Sequence, residues 1–189
     1  MPFSISYLTM YDMMRNITGI GEGNGPFISV HDGFQNLATW EDFLPGGDRI
    51  AMDTHTYLCF GGVDVRPLSQ QLERPCTAWA KEQNTSWSNF GVTTSGEWSL
   101  AFNDCGLYLN GVGSGSRWEG TLGGQAASGR SCAEWNDWTT WTQSRKDDLR
   151  TFALASMDAL QVNYYSTVTL LNSLTLCPIE LLLLDMENR

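Results

Sequence analysis

Three short apolar segments that each end in polar residues give the main pattern of hydrophobic and polar positions. They are residues 26–32, 48–57 and 90–94, and the third runs into a Gly-Glu-Trp turn. Short apolar runs bounded by polar or turn residues are typical of buried parallel strands. Because longer, partly helical connections separate them, they predict an α/β fold with a parallel sheet.

Helices are predicted around these strands from periodicity and capping signals. In residues 7–20 apolar side chains recur at three-residue spacing before glycines end the helix, and its predicted face is Leu8, Tyr11, Met14 and Ile17. Further helices are expected around residues 40–43 and over 101–109. A Ser-x-x-Asp cap at 144–147 predicts a helix to about residue 161, with an apolar face of Leu149, Phe152, Ala153, Met157 and Leu160. The Gly- and Ser-rich residues 110–129 are expected to form a surface loop.

Side chains capable of chemistry follow each predicted strand. They are His31 and Asp32, then Asp53, His55 and Tyr57, then Glu97. Several strand ends that carry polar groups resemble the catalytic rim of a (β/α) barrel. A dinucleotide-binding sheet would instead need a Gly-rich turn after its first strand, whereas GIGEGNG precedes that strand.

Composition narrows the class of partner. The chain has 21 acidic and 11 basic residues and a net charge of −10, which argues against nucleic acid and anionic membrane surfaces. Its 8 Trp, 6 Tyr and 8 Phe suit sugars, although most would fill the core. The longest apolar run, 181–184, falls far short of the roughly 20 residues of a membrane span, and the N-terminal residues lack the pattern of a signal peptide.

Cysteine spacing and glycosylation sequons bear on the compartment. Five cysteines without a C-x-x-C motif argue against a zinc or thioredoxin-like site and leave disulfides open. The sequons at Asn16 and Asn84 agree with a secretory history.

Glu97 is the main candidate for catalysis. It follows the third predicted strand and lies next to an indole, so we expect its carboxylate to be exposed to solvent but held in position by neighbouring groups. Glycoside hydrolysis suits such a group, and a retaining enzyme pairs two carboxyls about 5–5.5 Å apart. Two histidines, His31 and His55, with a carboxylate leave metal binding as an alternative. A serine hydrolase is set aside because no G-x-S-x-G motif occurs.

Five runs in this order resemble the fungal exo-1,3-β-glucanases of glycoside hydrolase family 5. They are HDGF (31–34), MDTHTYLCF (52–60), TTSGEWSLAFNDCGLYLNGV (93–112), SRWEG (116–120) and RTFALASMDALQ (150–161). The resemblance implies an α/β chain that forms part of a (β/α)8 barrel, about strands five to seven. Residues 1–161 would be the C-terminal half of a catalytic domain, and residues 162–189 a divergent tail.

The resemblance also implies roles for individual residues. Glu97 becomes the nucleophile, and His55 and Tyr57 hold it and the sugar at the cleaved subsite. Phe34 and Phe60 match aromatic positions near the entrance, and Asn110 a polar contact to glucose. Cys105 and Cys132 match two cysteines that form a disulfide in the family. Cys76 matches a family cysteine whose disulfide partner lies near the C-terminus, and Cys177 is a poor match for that partner. No cofactor or metal is implied, and the expected partner is β-1,3-glucan.

Other features of the resemblance predict a poor enzyme. Family members are about twice this length, and their N-terminal half carries the export signal and the general acid/base, a Glu that directly follows Asn. This chain contains no Asn-Glu dipeptide. The family's last-strand Trp has no match after residue 162 either. We therefore expect a hydrolase of the cell wall or extracellular space with weak or no activity, which self-associates through exposed sheet edges. The alternative is a non-catalytic β-glucan-binding protein or a non-functional fragment.

Overall fold

A computed structural model describes residues 2–60, 62, 64–123 and 128–161. The tail predicted at 162–189 lies outside the described residues. The helices and strands are α1 (Pro2–Thr18), β1 (Ile28–His31), β2 (Ile50–Thr56), α2 (Lys81–Asn89), β3 (Thr93–Trp98) and α3 (Gln143–Ala159). The helical connection predicted around 40–43 is a short 3₁₀ helix at Leu37–Trp40, and a π-helical turn at Cys76–Ala80 precedes α2. None of the described helices is long and apolar enough to cross a membrane.

The chain divides into two compact units. The first contains the described parts of Met1–His55, Cys76–Glu97 and Met157–Arg189. The second contains those of Thr56–Pro75 and Trp98–Ser156.

A small parallel sheet in the order β1-β2-β3 forms the centre of the first unit. In the parallel pair β1 and β2, Ile28 lies beside Ile50 and His31 beside Asp53. The Met52 N–H donates to the carbonyl oxygen of Val92 at 2.8 Å, which places the start of β3 on the other side of β2. The parallel sheet predicted from the three apolar segments is confirmed. The turn predicted at residues 96–98 is wrong, because the hydrogen-bonded strand β3 continues through them to Trp98.

The core of the first unit lies between this sheet and α1. Six buried side chains form it, and they are Ile28, Val30, Leu37, Trp40, Ile50 and Met52. Helix α1 packs Tyr7, Met10, Tyr11 and Met14 against them. The predicted face was partly wrong, since Leu8 and Ile17 are exposed. A strict three-residue spacing drifts by about 60° at each step around a helix of 3.6 residues per turn, so four such positions cannot share one face.

The second unit contains the largest correction to the predicted elements. Residues 101–109 form turns and bends instead of a helix. The Asn103 side chain accepts a hydrogen bond from the Cys105 N–H at 3.2 Å, and Cys105 forms a disulfide with Cys132. Local side-chain hydrogen bonds of Asn compete with helical ones, and the disulfide further holds the segment in its turns. The pairing implied by the resemblance is confirmed, with a Cα–Cα distance of 5.2 Å.

The segment predicted as a surface loop is also partly buried. Ser116 and Trp118 are almost inaccessible to solvent, and the Trp118 ring contacts Phe102 edge-on at 5.5 Å. Phe102 in turn contacts Phe152 of α3 at 6.2 Å. The glycines and serines of this segment therefore connect turns around a buried indole.

Helix α3 begins slightly before its predicted cap. The Thr142 hydroxyl accepts a hydrogen bond from the Arg145 N–H at 3.2 Å, so Thr142 caps the helix in place of Ser144. Its buried side chains are Phe152, Ala155, Ser156 and Ala159. Of the predicted face, Phe152 and Leu160, just after the helix, are buried. The small residues on the buried side were missed because Ala and Ser carry only a weak hydrophobic signal.

Candidate active site

The C-terminal ends of the three strands bring four predicted chemical groups into the first unit. His31 ends β1, His55 lies near the end of β2 and Glu97 near the end of β3, whereas Asp53 lies in the middle of β2. Parallel strands present these ends at one edge of the sheet. The register sets His31 directly beside Asp53.

Glu97, His55 and Asp53 form a chain of polar contacts. The Glu97 Oε2 atom lies 3.4 Å from Nδ1 of His55, and the other ring nitrogen, Nε2, lies 3.4 Å from Oδ2 of Asp53. The side chain of Glu97 is 60% exposed, whereas that of His55 is 20% exposed. An imidazole held between two carboxylates can donate a proton to either one, so it can orient the exposed Glu97 carboxylate toward a ligand.

Gly96 explains how Asp53 is fixed. Its N–H donates to Oδ1 of Asp53 at 2.7 Å. A Cβ atom at this position would meet the same oxygen at 2.4 Å and the carboxyl carbon at 2.9 Å. The residue before Glu97 must therefore lack a side chain for the carboxylate to approach the backbone so closely.

His31 stands next to this chain. Its ring lies 4.2 Å from that of His55, edge to face, and its Nδ1 atom accepts a hydrogen bond from the Gly33 N–H at 3.0 Å. A backbone N–H that donates to Nδ1 leaves Nε2 as the ring nitrogen that faces other partners. That atom lies 3.5 Å from Oδ1 of Asp32.

Asp32 shapes the turn that presents Phe34. Its Oδ1 atom accepts a hydrogen bond from the Phe34 N–H at 2.8 Å, and Phe34 has a φ of 57°. Burial raises the pKa of Asp32, an effect that the Phe34 hydrogen bond and the nearby His31 and His55 rings oppose. The Phe34 ring is 72% exposed and contacts His31 edge-on at 5.0 Å. A large residue in the left-handed region is strained, and such strain clusters at ligand-binding sites.

The other predicted site residues, Tyr57, Phe60 and Asn110, lie in the second unit. The rings of Tyr57 and Phe60 contact each other edge-on at 5.5 Å, and Phe60 is half exposed. The Asn110 amide donates to Oδ2 of Asp104 at 2.9 Å and accepts from Arg117 at 3.2 Å. These bonds give Asn110 a role in its own loop, and its contact to a sugar stays a prediction.

Asp104 is a buried charge that the sequence interpretation missed. Its carboxylate accepts hydrogen bonds from the backbone N–H groups of Arg117 and Trp118 at 2.7 and 2.9 Å, besides the one from Asn110. Burial acts to raise the pKa of Asp104, but these donors outweigh it and the pKa is lowered. Asp104 therefore holds the loop that carries Asn110. The only sequence signal was an Asn-Asp pair, which is more common in turns than in helices.

Comparison with known proteins gives several fungal relatives and no matching family model. Relatives named probable glucan 1,3-beta-glucosidase D are 34% identical in Aspergillus terreus and 39% identical in Aspergillus clavatus, over 85% and 84% of this chain. A third, from Aspergillus flavus, is 43% identical over 53% of the chain. These proteins are homologues of the chain. The resemblance to fungal glucan 1,3-β-glucosidases is thus confirmed.

The match covers only part of each homologue. The chain spans about one fifth of the length of the Aspergillus terreus and Aspergillus clavatus proteins, 21% in both cases. The expectation that related proteins are about twice the chain's length is therefore wrong for these homologues. Their name describes a glycosidase that acts on a glucan.

The alternative of a metal site built from His31 and His55 finds no support in the geometry. No group of three or more His, Cys, Asp and Glu side chains within the described ranges is arranged to hold a metal ion. The Nδ1 atom of His31 is already occupied by the Gly33 N–H.

Proposed function

We propose that this chain forms part of the catalytic domain of a retaining glycoside hydrolase that releases glucose from β-1,3-glucan. The observation that carries the proposal is the exposed Glu97 carboxylate at the end of β3, 3.4 Å from the His55 ring. The Aspergillus homologues, named as glucan 1,3-beta-glucosidases, support the substrate class.

Glu97 acts as the nucleophile in this proposal. Its carboxylate oxygen forms a bond to the anomeric carbon while the bond from that carbon to the leaving oxygen breaks, and a general acid protonates the leaving alcohol. Water then attacks the same carbon, gives up its proton to a general base and releases Glu97 with the configuration retained. His55, held by Asp53, orients the Glu97 carboxylate. Tyr57 binds the sugar at the cleaved subsite, and Asn110 contacts glucose. Phe34 and Phe60 lie near the entrance.

The fold proposed for this function is the C-terminal half of a (β/α)8 barrel over residues 1–161, followed by a divergent segment at 162–189. The three-stranded parallel sheet supports it, because its strand ends carry the polar groups as a barrel rim does. We place the protein in the extracellular space or cell wall, where its glucan substrate occurs. In the isolated chain, unpaired strand edges would favour self-association.

General acid catalysis is the step for which the sequence offers no candidate. The family's acid/base Glu follows Asn, and the chain contains no Asn-Glu dipeptide. Loss of such a group typically lowers a rate by about 10²- to 10⁴-fold. We therefore expect this chain, assayed by itself, to hydrolyse β-1,3-glucan weakly or not at all.

An activated substrate tests the nucleophile separately from the acid. Dinitrophenolate leaves without protonation, so dinitrophenyl β-glucoside needs Glu97 but no general acid. We expect measurable release of dinitrophenolate by the purified chain and none by Glu97→Gln. The control is Glu22→Gln, which makes the same change at an exposed residue after α1. The fluorinated analogue of this glucoside should leave a glycosyl mass on the peptide that contains Glu97.

Two results would decide against the proposal. Equal rates for Glu97→Gln and Glu22→Gln would remove Glu97 as the nucleophile. Retention of the chain on insoluble β-glucan without turnover of the activated glucoside would favour the alternative, a non-catalytic glucan-binding protein. The exposed Phe34 and Phe60 rings supply a binding surface for that case. A chain that neither binds nor cleaves glucan would support the non-functional fragment.

A further inference from the structure

The two sequons for N-linked glycosylation lie in helices of the first unit, and the space around them differs. Residues 16–18, Asn-Ile-Thr, end α1, and residues 84–86, Asn-Thr-Ser, lie within α2. This tripeptide accepts oligosaccharides in secreted proteins, and the modified residue normally lies at the surface. Whether the folded chain can carry a sugar at either position therefore depends on the surroundings of the Asn amide.

The side chain of Asn16 is exposed to solvent beside a buried anchor of α1. Arg15 is 7% exposed, and its guanidinium donates to the carbonyl oxygen of Asp48 at 2.8 Å. Successive residues of an α-helix lie about 100° apart around its axis, so Asn16 can face solvent while Arg15 is buried. Met13 and Ile17 are 61% and 83% exposed, which leaves open space for a sugar on the Asn16 amide.

The amide of Asn84 has no such space. Its Nδ2 atom is inaccessible to solvent, and its Oδ1 atom accepts a hydrogen bond from Nε2 of Gln161. Ser86, the third residue of the same sequon, is 2% exposed, and its hydroxyl forms a hydrogen bond with that of Thr93 on β3 at 2.8 Å. The second sequon is therefore part of the packing between α2 and its neighbours.

A sugar on Asn84 is incompatible with this packing. Protein interiors are as densely packed as organic crystals, so the attached ring would have to displace the chain that covers the amide. Oligosaccharides are transferred to chains that have not yet folded. A chain modified at Asn16 can still reach the folded structure, whereas one modified at Asn84 cannot.

We propose that Asn16 carries an N-linked oligosaccharide in the folded, secreted protein and that Asn84 does not. The transfer forms a bond from the Asn16 amide nitrogen to the anomeric carbon of the oligosaccharide. The bond from that carbon to the diphosphate of a polyprenol carrier breaks, and the proton lost by the amide goes to the released diphosphate. The proposal rests on the proposed extracellular location, since this transfer takes place in the secretory pathway.

Labelling with heavy oxygen tests both positions in the unaltered chain. The full chain is directed into the secretory pathway of a fungal host by the host's own export signal. The fraction that resists limited proteolysis, secreted or retained, is taken as the folded protein and then denatured. Peptide N-glycosidase in H₂¹⁸O converts each glycosylated Asn to ¹⁸O-labelled Asp, which peptide mass spectrometry locates. We expect the label at Asn16 and none at Asn84.

An exposed Asn outside a sequon provides the matched control. Asn16→Gln should abolish the change in electrophoretic mobility that peptide N-glycosidase produces in the unaltered chain. Asn89→Gln makes the same substitution at the exposed last residue of α2 and should keep that change. The labelling of the unaltered chain decides the question even where a variant does not fold.

Three outcomes would overturn the inference. They are a folded fraction without label at Asn16, a folded fraction with label at Asn84, and a mobility change that persists in Asn16→Gln. Failure of the proposed function is a separate result, because the host's signal delivers the chain and the label reports no hydrolysis of glucan.

Discussion

Substitution of Gly96 by alanine tests how the backbone of β3 holds the catalytic carboxylates. The new Cβ atom would lie 2.4 Å from Oδ1 of Asp53, so the carboxylate must move and lose its 2.7 Å hydrogen bond from the backbone. A hydrogen bond to a charged group contributes about 1.5–3 kcal/mol. Overpacking costs about 1–3 kcal/mol.

The lost hydrogen bond and the overpacking together cost more than a Gly-to-Ala substitution usually gains in stability. Gly to Ala at a site without strain stabilises a protein by about 0.4–1 kcal/mol through the unfolded chain. We therefore expect Gly96→Ala to lower the free energy of unfolding by about 2–4 kcal/mol, measured by urea denaturation. Displacement of Asp53 also releases His55, and a misplacement of about 1 Å can cost roughly 100-fold in rate, so hydrolysis of dinitrophenyl β-glucoside should fall as well.

Gly62→Ala is the matched control for this experiment. Among the residues that the structure describes, no atom lies within 4 Å of a Cβ built at Gly62, so the variant should unfold at the same denaturant concentration as the unaltered chain or a slightly higher one. If Gly96→Ala and Gly62→Ala differed by less than about 0.5 kcal/mol, the close contact between Asp53 and the β3 backbone would be refuted.

Two further predictions concern Asp104 and Phe34. The pKa of Asp104 is lower in the folded chain than its unfolded value of 3.8, so its contribution to stability is complete above that pH and lost as the pH falls below it. Acid titration of unfolding should show a smaller loss below pH 3.8 for Asp104→Asn, and parallel curves would contradict this role. Phe34→Ala should weaken retention on β-1,3-glucan and leave stability nearly unchanged, because the ring is 72% exposed. Phe27→Ala, an exposed Phe before β1, is the control, and equal retention of both variants would remove Phe34 from the binding surface.

The strand ends show how far pattern alone can place a site. Apolar runs that stop at polar residues located His31, Asp53, His55 and Glu97 at one edge of a parallel sheet, because strand polarity and pleat are local properties of the sequence. The contacts between these side chains were not predictable from the sequence pattern. The contact of Glu97 with His55 depends on register, which the hydrogen bonds between neighbouring strands decide.

The structure of segment 101–109 could not be predicted from its local sequence. Its apolar spacing predicts a helix, but the Cys105–Cys132 disulfide and the donors that converge on Asp104 hold it in turns. These partners come from residues 110–132, far along the chain. Tertiary contacts override a weak helical preference when they satisfy buried polar groups that a helix would leave unpaired.

The sequence by itself determined the α/β class, the positions of the first two strands and the resemblance to fungal glucan 1,3-β-glucosidases, since each depends on residue types and their spacing. Only the tertiary structure decided that Gly96 supports Asp53, that Asp104 is a buried charge and that the amide nitrogen of Asn84 is inaccessible to solvent. The physical reason is that burial and hydrogen-bond partners are properties of distant residues brought together. Through those contacts the Glu97 carboxylate lies next to His55, and His55 in turn contacts Asp53.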